Sequence, residues 1–269
     1  MKLTIQIVNF KSRRYLEKCL FSIRENLPAG IEAEILLVNN DEAPLDEIAA
    51  GWKDISNLRI HEIGENIGFG RAHNAGFRNS RGEYVLFLNP DTKILPGALQ
   101  ALLETLERDQ MISIVGPLLI DAGGKIQADC FGDRRTPLST IRKKIYEQNE
   151  QPAGADGEIF ATDWISGGAM LVRRDVFEKI GGFDEKFFMY FEDVDLCLRA
   201  KKQDYKVAVC PAARVFHESG KSFGSEREKK SLYYTSQNYF FRKHFGPVSA
   251  GLVKLLRLPY YVKNVLLSR

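Results

Sequence analysis

Hydrophobic residues along the chain alternate between short unbroken runs and longer stretches where they recur at helical spacing. Unbroken runs mark strands covered on both faces, and the spaced pattern marks helices with one apolar side. Leu3 to Phe10 reads as a strand. Ser12 is placed to cap a helix carrying Leu16, Leu20, Ile23 and Leu27, which Pro28-Ala29-Gly30 ends. Glu34 to Val38 is a second buried strand, Pro44 to Trp52 a short helix and Leu58 to Glu62 a third strand. The glycine-rich loop Ile63 to Gly70 leads into a helix over Arg71 to Asn79, closed by Ser80-Arg81-Gly82. Tyr84-Val85-Leu86-Phe87-Leu88 is the central strand. Pro96 opens a helix through Arg108, with Leu99, Leu102, Leu103 and Leu106 on one face. This alternation predicts an α/β fold, a largely parallel central sheet flanked by helices.

Past Ile112 to Pro117 the regularity breaks. Leu118 to Gln127 reads as a hairpin about Gly123-Gly124. Arg134 to Glu158 is polar and irregular, with a short basic helix expected near Ile141 to Tyr146 in an otherwise mobile excursion. Order resumes over Trp164 to Val172, followed by a helix ending at Gly181-Gly182, and Tyr205 to Val209 is a late strand. Ser231 to Phe245 is a strongly aromatic helix candidate. These breaks divide the chain into a domain over residues 1–226 and a helical, basic-aromatic C-terminal extension over 227–269.

Composition narrows the class without naming a function. A hydrophobic fraction of 44% with 27% charged residues describes a globular protein with a real core. A net charge of +3 gives no reason to expect nucleic acid. The opening residues form a strand rather than a signal peptide, no apolar stretch is long enough to span a membrane, and the four cysteines form no C-x-x-C pair. A reducing, cytoplasmic setting is expected.

Three stretches carry candidate chemistry. Asn89-Pro90-Asp91 stops the central strand, because proline removes a donor and forces the preceding residue out of helix. Asp91 thus sits at the carboxyl end of a central strand, where open α/β sheets bind ligands and a carboxylate can hold a divalent cation against a diphosphate. A plain strand-ending turn would use the same residues. Glu192-Asp193-Val194-Asp195 clusters acids where a helix begins. Acids there complement the helix dipole, but five bulky apolar residues precede them, and burial would raise a carboxylate towards general-base use. His217 follows the late strand, as a ligand or as a structural histidine. The loop after it, with Lys221, Ser222 and Gly224, is placed to close over phosphates. Neither a P-loop nor G-x-G-x-x-G is present.

Taken in order, these residues resemble the inverting family-two glycosyltransferases, particularly the bacterial rhamnosyltransferase-like branch. The resemblance runs from the first strand to Phe245. It rests on Ile7-Val8-Asn9-Phe10; Leu37-Val38-Asn39-Asn40; Glu65-Asn66-Ile67-Gly68-Phe69 with Ala72, Asn74 and Gly76; Asn89-Pro90-Asp91; and Gly167-Gly168 followed by Glu192 to Cys197 and His217. It implies a GT-A fold and a nucleoside diphosphate sugar donor, dTDP-L-rhamnose first, with UDP-linked N-acetylglucosamine, galactose or galactofuranose as alternatives. It implies Mg²⁺ or Mn²⁺ held by Asp91 and His217, and Asp193 as the base that deprotonates an acceptor hydroxyl. Donor contacts are expected from Asn9, Asn39, Asn66, Gly68, Arg71, Asn74, Asn89 and Asp91, and acceptor contacts from Trp164, Gly167, Gly168 and Glu192.

Two departures from the family pattern stand out. Asn39 replaces the usual aspartate after the second strand, and Asn89 replaces the first acid of D-x-D, leaving fewer charges for a metal. A non-catalytic nucleotide- or glycan-binding protein is the competing reading. The tail beyond Glu228 carries no acid but many aromatic, aliphatic and basic residues. It suits the surface of an anionic bilayer, packing on the core, or a homodimer contact equally. Acting at the inner face of the cell membrane on a glycan or lipid-linked acceptor would fit the first of these, as would a scaffold working through the tail alone.

Overall fold

The computed structural model describes residues 1–52, 57–137, 139, 157–218, 225–262 and 265. The expected basic helix near Ile141 to Tyr146 and the loop with Lys221, Ser222 and Gly224 lie outside the described residues. The strands are β1 (Leu3–Asn9), β2 (Ala33–Asn39), β3 (Leu58–Glu62), β4 (Tyr84–Leu88), β5 (Thr92–Ile94), β6 (Ile112–Ile120), β7 (Phe131–Gly132), β8 (Phe160–Ala161), β9 (Trp164–Ile165), β10 (Ala169–Arg173) and β11 (Lys206–His217). The helices are α1 (Arg13–Asn26), α2 (Asp46–Gly51), α3 (Phe69–Phe77), α4 (Ala98–Arg108), α5 (Arg174–Lys179), α6 (Glu192–Lys201) and α7 (Glu226–Tyr261).

Among the described residues, nine strands form one sheet in the order β3-β2-β1-β4-β10-β6-β11-β5, with β8 paired to β11. Strands β3, β2, β1 and β4 are parallel throughout. The remainder is mixed, because β10 runs antiparallel to both β4 and β6. The core lies on both sheet faces, as the unbroken runs predict. Along β4, Tyr84, Leu86 and Leu88 face α1 and α4, while Val85 and Phe87 face the side holding α5, α6 and α7.

Several boundaries differ from the sequence reading. Ser12 precedes α1, but its hydroxyl donates to Asn9 Oδ1 instead of capping the helix. Helix α3 starts at Phe69, two residues early. The expected Leu118–Gln127 hairpin is reduced to a turn after β6, with a single antiparallel bridge between Ile120 and Ile126. Strand β11 runs on to His217, and its register against β6 shifts between Cys210 and Arg214 beside Pro117. A proline cannot donate to the ladder, and the irregularity absorbs the gap.

Helix α7 is two helices joined at Gly246, whose φ of 82° and ψ of 169° are not helical. Its first half packs Phe240 and Phe241 into the core beside α6. After the break the chain folds back. Buried Arg257 bonds the Tyr234 carbonyl and the side-chain oxygens of Gln237 and Asn238. The opposite side exposes Val248, Leu252, Leu255, Leu256 and Leu258. Among the described residues, no helix is long and apolar enough to cross a membrane.

Candidate active site

The carboxyl ends of the central strands and the start of α6 face one another across a cavity of about 1080 Å³. Two walls of it carry acids, and they are built differently.

The first wall grows from the end of β4. Asn89 N–H donates to Gly168 O at 2.9 Å, and Thr92 Oγ donates back to Asn89 O at 2.6 Å, so the Asn-Pro-Asp turn is clamped on both sides of Pro90. Strand β5 then pairs with β11 so that His217 stands opposite Thr92. That register brings His217 Nε2 to 3.4 Å from Asp91 Oδ1 and 3.4 Å from Asn89 Nδ2. Both the Asp91 and His217 side chains are largely buried, at 6% and 12% exposure. The far edge of the imidazole meets Gln127, with Nδ1 2.9 Å from Oε1. Among the described residues, no three His, Cys, Asp or Glu side chains converge as a metal cage.

The second wall is the first turn of α6. Asp193 Oδ2 accepts from Gly167 N–H at 2.9 Å and Oδ1 from Val194 N–H at 2.8 Å. Glu192 is buried beside it, and its Oε2 has no hydrogen-bond partner among the described residues. Burial pushes Asp193 above the usual carboxylate range, against those two amides and Arg135. Burial pushes Glu192 well above its ordinary value, and the charge of Asp193 raises it further. Asp195 faces away from the cavity. Although burial opposes ionisation, bonds from His244, Arg199 and Lys243 hold this carboxyl down at about 2. The three acids therefore divide their roles: two face the cavity and one anchors α7.

Reaching that turn requires strain. Tyr190 and Phe191 both have φ of 69°, a region that bulky residues avoid. Helix α7 holds them there. Ser236 Oγ donates to Met189 O at 2.6 Å, and the Phe191 ring lies 5.2 Å from Tyr233 and 5.3 Å from Phe240.

Gly167 and Gly168 join the two walls. A Cβ at Gly167 would fall 3.0 Å from the Phe69 ring, and one at Gly168 would fall 3.1 Å from Leu119. Gly68, with φ of 93°, lets the loop before α3 touch Phe188, whose carbonyl accepts from Phe69 N–H at 2.9 Å. Trp164 lines the cavity with its indole N–H bonded to Asp133 O and the Arg135 guanidinium 4.7 Å from its ring.

Of the expected contacts, Asn66, Gly68, Asn89, Asp91, Trp164, Gly167, Gly168, Glu192, Asp193 and His217 line this cavity. Four expected donor contacts lie elsewhere. Asn39 is fully buried, donating to Ala43 O and Glu62 Oε2 and accepting from Asn9. Asn9 is buried with it, so both amides tie β1, β2 and β3 together behind the wall. Asn74 exchanges two bonds with the Phe183 backbone, and exposed Arg71 pairs with Glu185. Helix α3 thus presents these two side chains to the loop before α6, not to the cavity. The lining residue at the end of β2 is Asn40, whose amide bonds Asn66 Oδ1 and Ile67 N–H. The Asn39-Asn40 doublet was its only signal. Gln127, Arg135 and Tyr233 also line the cavity, and no motif marked them.

The profile of glycosyltransferase-like family 2 matches residues 2–232. An N-acetylglucosaminyl-diphospho-decaprenol L-rhamnosyltransferase of Mycobacterium tuberculosis is 28% identical, across 99% of this chain and 93% of its own length. The rhamnosyltransferase WbbL of Escherichia coli is 28% identical, across 89% of this chain and 92% of its own. A mannosyltransferase of Pyrobaculum calidifontis, solved with GDP-mannose and Mn²⁺, superposes with a TM-score of 0.66 at 17% identity, covering 98% of this chain and 72% of that one. The mixed sheet with its cavity at the strand ends is accordingly a GT-A fold, and the chain belongs to the family-two glycosyltransferases.

Proposed function

We propose that this protein is an inverting enzyme that transfers L-rhamnose from dTDP-rhamnose to a hydroxyl of a lipid-linked glycan in cell-surface polysaccharide synthesis. One observation carries the chemistry: Asp91 with His217, and Asp193 with Glu192, occupy separate walls of one cavity. The names of the two rhamnosyltransferase relatives favour rhamnose and, for the mycobacterial one, a diphospho-decaprenol acceptor.

Residues on the second wall supply the base. Asp193, aimed by Gly167 N–H and Val194 N–H, accepts the acceptor's hydroxyl proton as that oxygen attacks the anomeric carbon. The bond from that carbon to the diphosphate oxygen breaks, and its electron pair stays on the diphosphate. One displacement gives inversion, and no second nucleophile is required. Glu192, whose Oε2 has no partner among the described residues, would hydrogen-bond a sugar hydroxyl.

The first wall fits a divalent cation. A carboxylate oxygen and an imidazole nitrogen face each other at 3.4 Å, donor types that Mn²⁺ or Mg²⁺ accept alongside phosphate oxygens and water. When bound, such an ion neutralises charge developing on the leaving diphosphate. With Asn89 in place of an acid, Asp91 supplies the carboxylate of the Asn-Pro-Asp turn.

The half of α7 beyond Gly246 presents Val248, Leu252, Leu255 and Leu256 with Lys254 among them, and no acid follows Glu228. This face would rest on the anionic inner leaflet, where a lipid-linked acceptor is reached.

The test is product formation and thermal stabilisation across a panel of nucleotide sugars with Mn²⁺, Mg²⁺ or EDTA. A ligand that binds the native state raises the melting temperature. The expected result is turnover and stabilisation with dTDP-rhamnose that EDTA abolishes. Turnover with UDP-sugars alone would discard rhamnose. Binding without turnover of any donor would leave a nucleotide-binding protein. Liposome flotation lost on removal of residues beyond Phe245 would support the membrane contact, and unchanged flotation would sink it.

A further inference from the structure

Gln127 lies in the turn-and-loop segment after β6, and no motif pointed to it. Its backbone is fixed at both ends, N–H to Leu119 O at 2.9 Å and carbonyl from Cys130 N–H at 3.3 Å. Its side chain grips His217 twice. The amide nitrogen donates to the His217 carbonyl at 2.7 Å, and Oε1 lies 2.9 Å from Nδ1 of the same residue.

This double contact determines where the imidazole proton sits. A backbone carbonyl only accepts, so the end of the amide facing it must be NH₂. The other end is therefore the oxygen, which also only accepts, and Nδ1 must carry the hydrogen. In the neutral ring Nε2 is then a lone pair. It points at Asp91 Oδ1, another acceptor, at 3.4 Å. Two acceptors at that separation, both largely shielded from solvent, are complementary to a cation between them and not to each other. Asn89 Nδ2, also 3.4 Å from Nε2, is too distant to settle the ring by itself.

We infer that Gln127 is a positioning residue, holding His217 in the Nδ1–H form so that Nε2 and Asp91 together take a divalent cation. This rests on the metal reading proposed above. A metal-bound histidine commonly donates its other N–H to an oxygen that fixes ring and tautomer, and losing such a partner costs about 10- to 100-fold in metal affinity.

The experiment uses the full chain and two readouts. Nitrogen NMR of histidine-labelled protein at about pH 8, above the ordinary histidine range, reports the tautomer without any metal. Electron paramagnetic resonance titration with Mn²⁺ reports affinity without turnover. Wild type should show a protonated Nδ1 at His217. Gln127→Met, which keeps the length but loses both bonds, should lose that single tautomer and bind Mn²⁺ about 10- to 100-fold more weakly. Gln127→Glu keeps an oxygen towards Nδ1–H but loses the donor to the His217 carbonyl, and should recover part of the affinity. Asp91→Asn serves as the control for the metal reading. If wild type and Asp91→Asn take up Mn²⁺ equally or not at all, the metal reading falls and this inference with it. If Asp91→Asn loses Mn²⁺ while Gln127→Met binds like wild type, the metal reading stands and Gln127 has no part in it. A wild-type ring protonated on Nε2 instead of Nδ1 overturns the inference whatever the Mn²⁺ data show. Should Gln127→Met fail to fold, the wild-type tautomer and Gln127→Glu still decide.

Discussion

The two acid-bearing walls of the cavity differ in what holds them. Asp91 and His217 sit on strand ends, and the β5–β11 register and the clamp around Asn89 fix their backbones. Asp193 and Glu192 follow two residues in left-handed conformation, which rings and a hydroxyl from α7, some forty positions along the chain, hold in place. Strand ends in a ladder are rigid without help. A strained turn persists only while its surroundings over-determine it. The wall proposed to hold the metal should therefore survive perturbation of α7, and the wall proposed to carry the base should not.

The largest effect tests the role of the base-side wall directly. Asp193→Asn should lower kcat by about 10²- to 10⁴-fold, the range for loss of a general base. Donor-dependent thermal stabilisation and Mn²⁺ uptake should persist, because both are proposed to depend on the other wall. Steady-state kinetics with thermal shifts on the same variant check this. Loss of donor binding would mean the walls are not independent.

A pH profile sharpens the same contrast. Burial raises both acids, but two backbone N–H bonds favour the ionised form of Asp193, and the charge of Asp193 in turn favours the neutral form of Glu192. The base must be ionised to act. Activity should fall about tenfold per pH unit below an acidic limb lying above the ordinary aspartate value. Glu192→Gln exchanges one neutral group for another and should leave the limb in place. A limb that moves with this variant would assign the titration to Glu192.

Legibility from sequence divides along the same line. Asp91 could be placed because Tyr84 to Leu88 is an unbroken strand and Pro90 must end it, both local facts. The acids of α6 could be seen to cluster, but only the family resemblance, not the local pattern, set Glu192 and Asp193 apart from Asp195. Asp195 turns away because Arg199, Lys243 and His244 meet it, and the last two come from α7. Asn39 and Asn40 follow one buried run, and only the register of three strands shows that Asn39 meets Asn9 and Glu62 while Asn40 faces the cavity. The places of Arg71 and Asn74 are illegible for a similar reason: their partners Glu185 and Phe183 lie more than a hundred positions away.

Asn39 also yields the next effect in size. Asn39→Asp would restore the family's usual residue. In this chain, however, it would remove two donated bonds and set a carboxylate against Glu62 Oε2, 2.6 Å from the present amide nitrogen. We expect a loss of about 1–3 kcal/mol in chemical denaturation, the cost of stranding buried polar groups. Donor affinity should not improve. A tighter donor with unchanged stability would place residue 39 on the cavity after all.

The smallest effect is the most selective test of the brace. Ser236→Ala removes one hydroxyl from a buried position and with it the bond to Met189 O, directly before the strained pair Tyr190 and Phe191. The expected loss of global stability is only about 1 kcal/mol, the ordinary net value of one hydrogen bond. Its consequence should nevertheless be lopsided. With one restraint gone, the turn can relax towards negative φ, and that motion carries Glu192 and Asp193 with it. Donor affinity and Mn²⁺ uptake, which we assign to the strand ends, should match wild type, while kcat falls. A structural defect spread through the fold would weaken both walls together. A fall in kcat with donor binding intact would locate the strain, and the need for α7, on the base side alone. Equal losses on both sides would mean the sheet and the brace are one unit and the contrast between the walls is false.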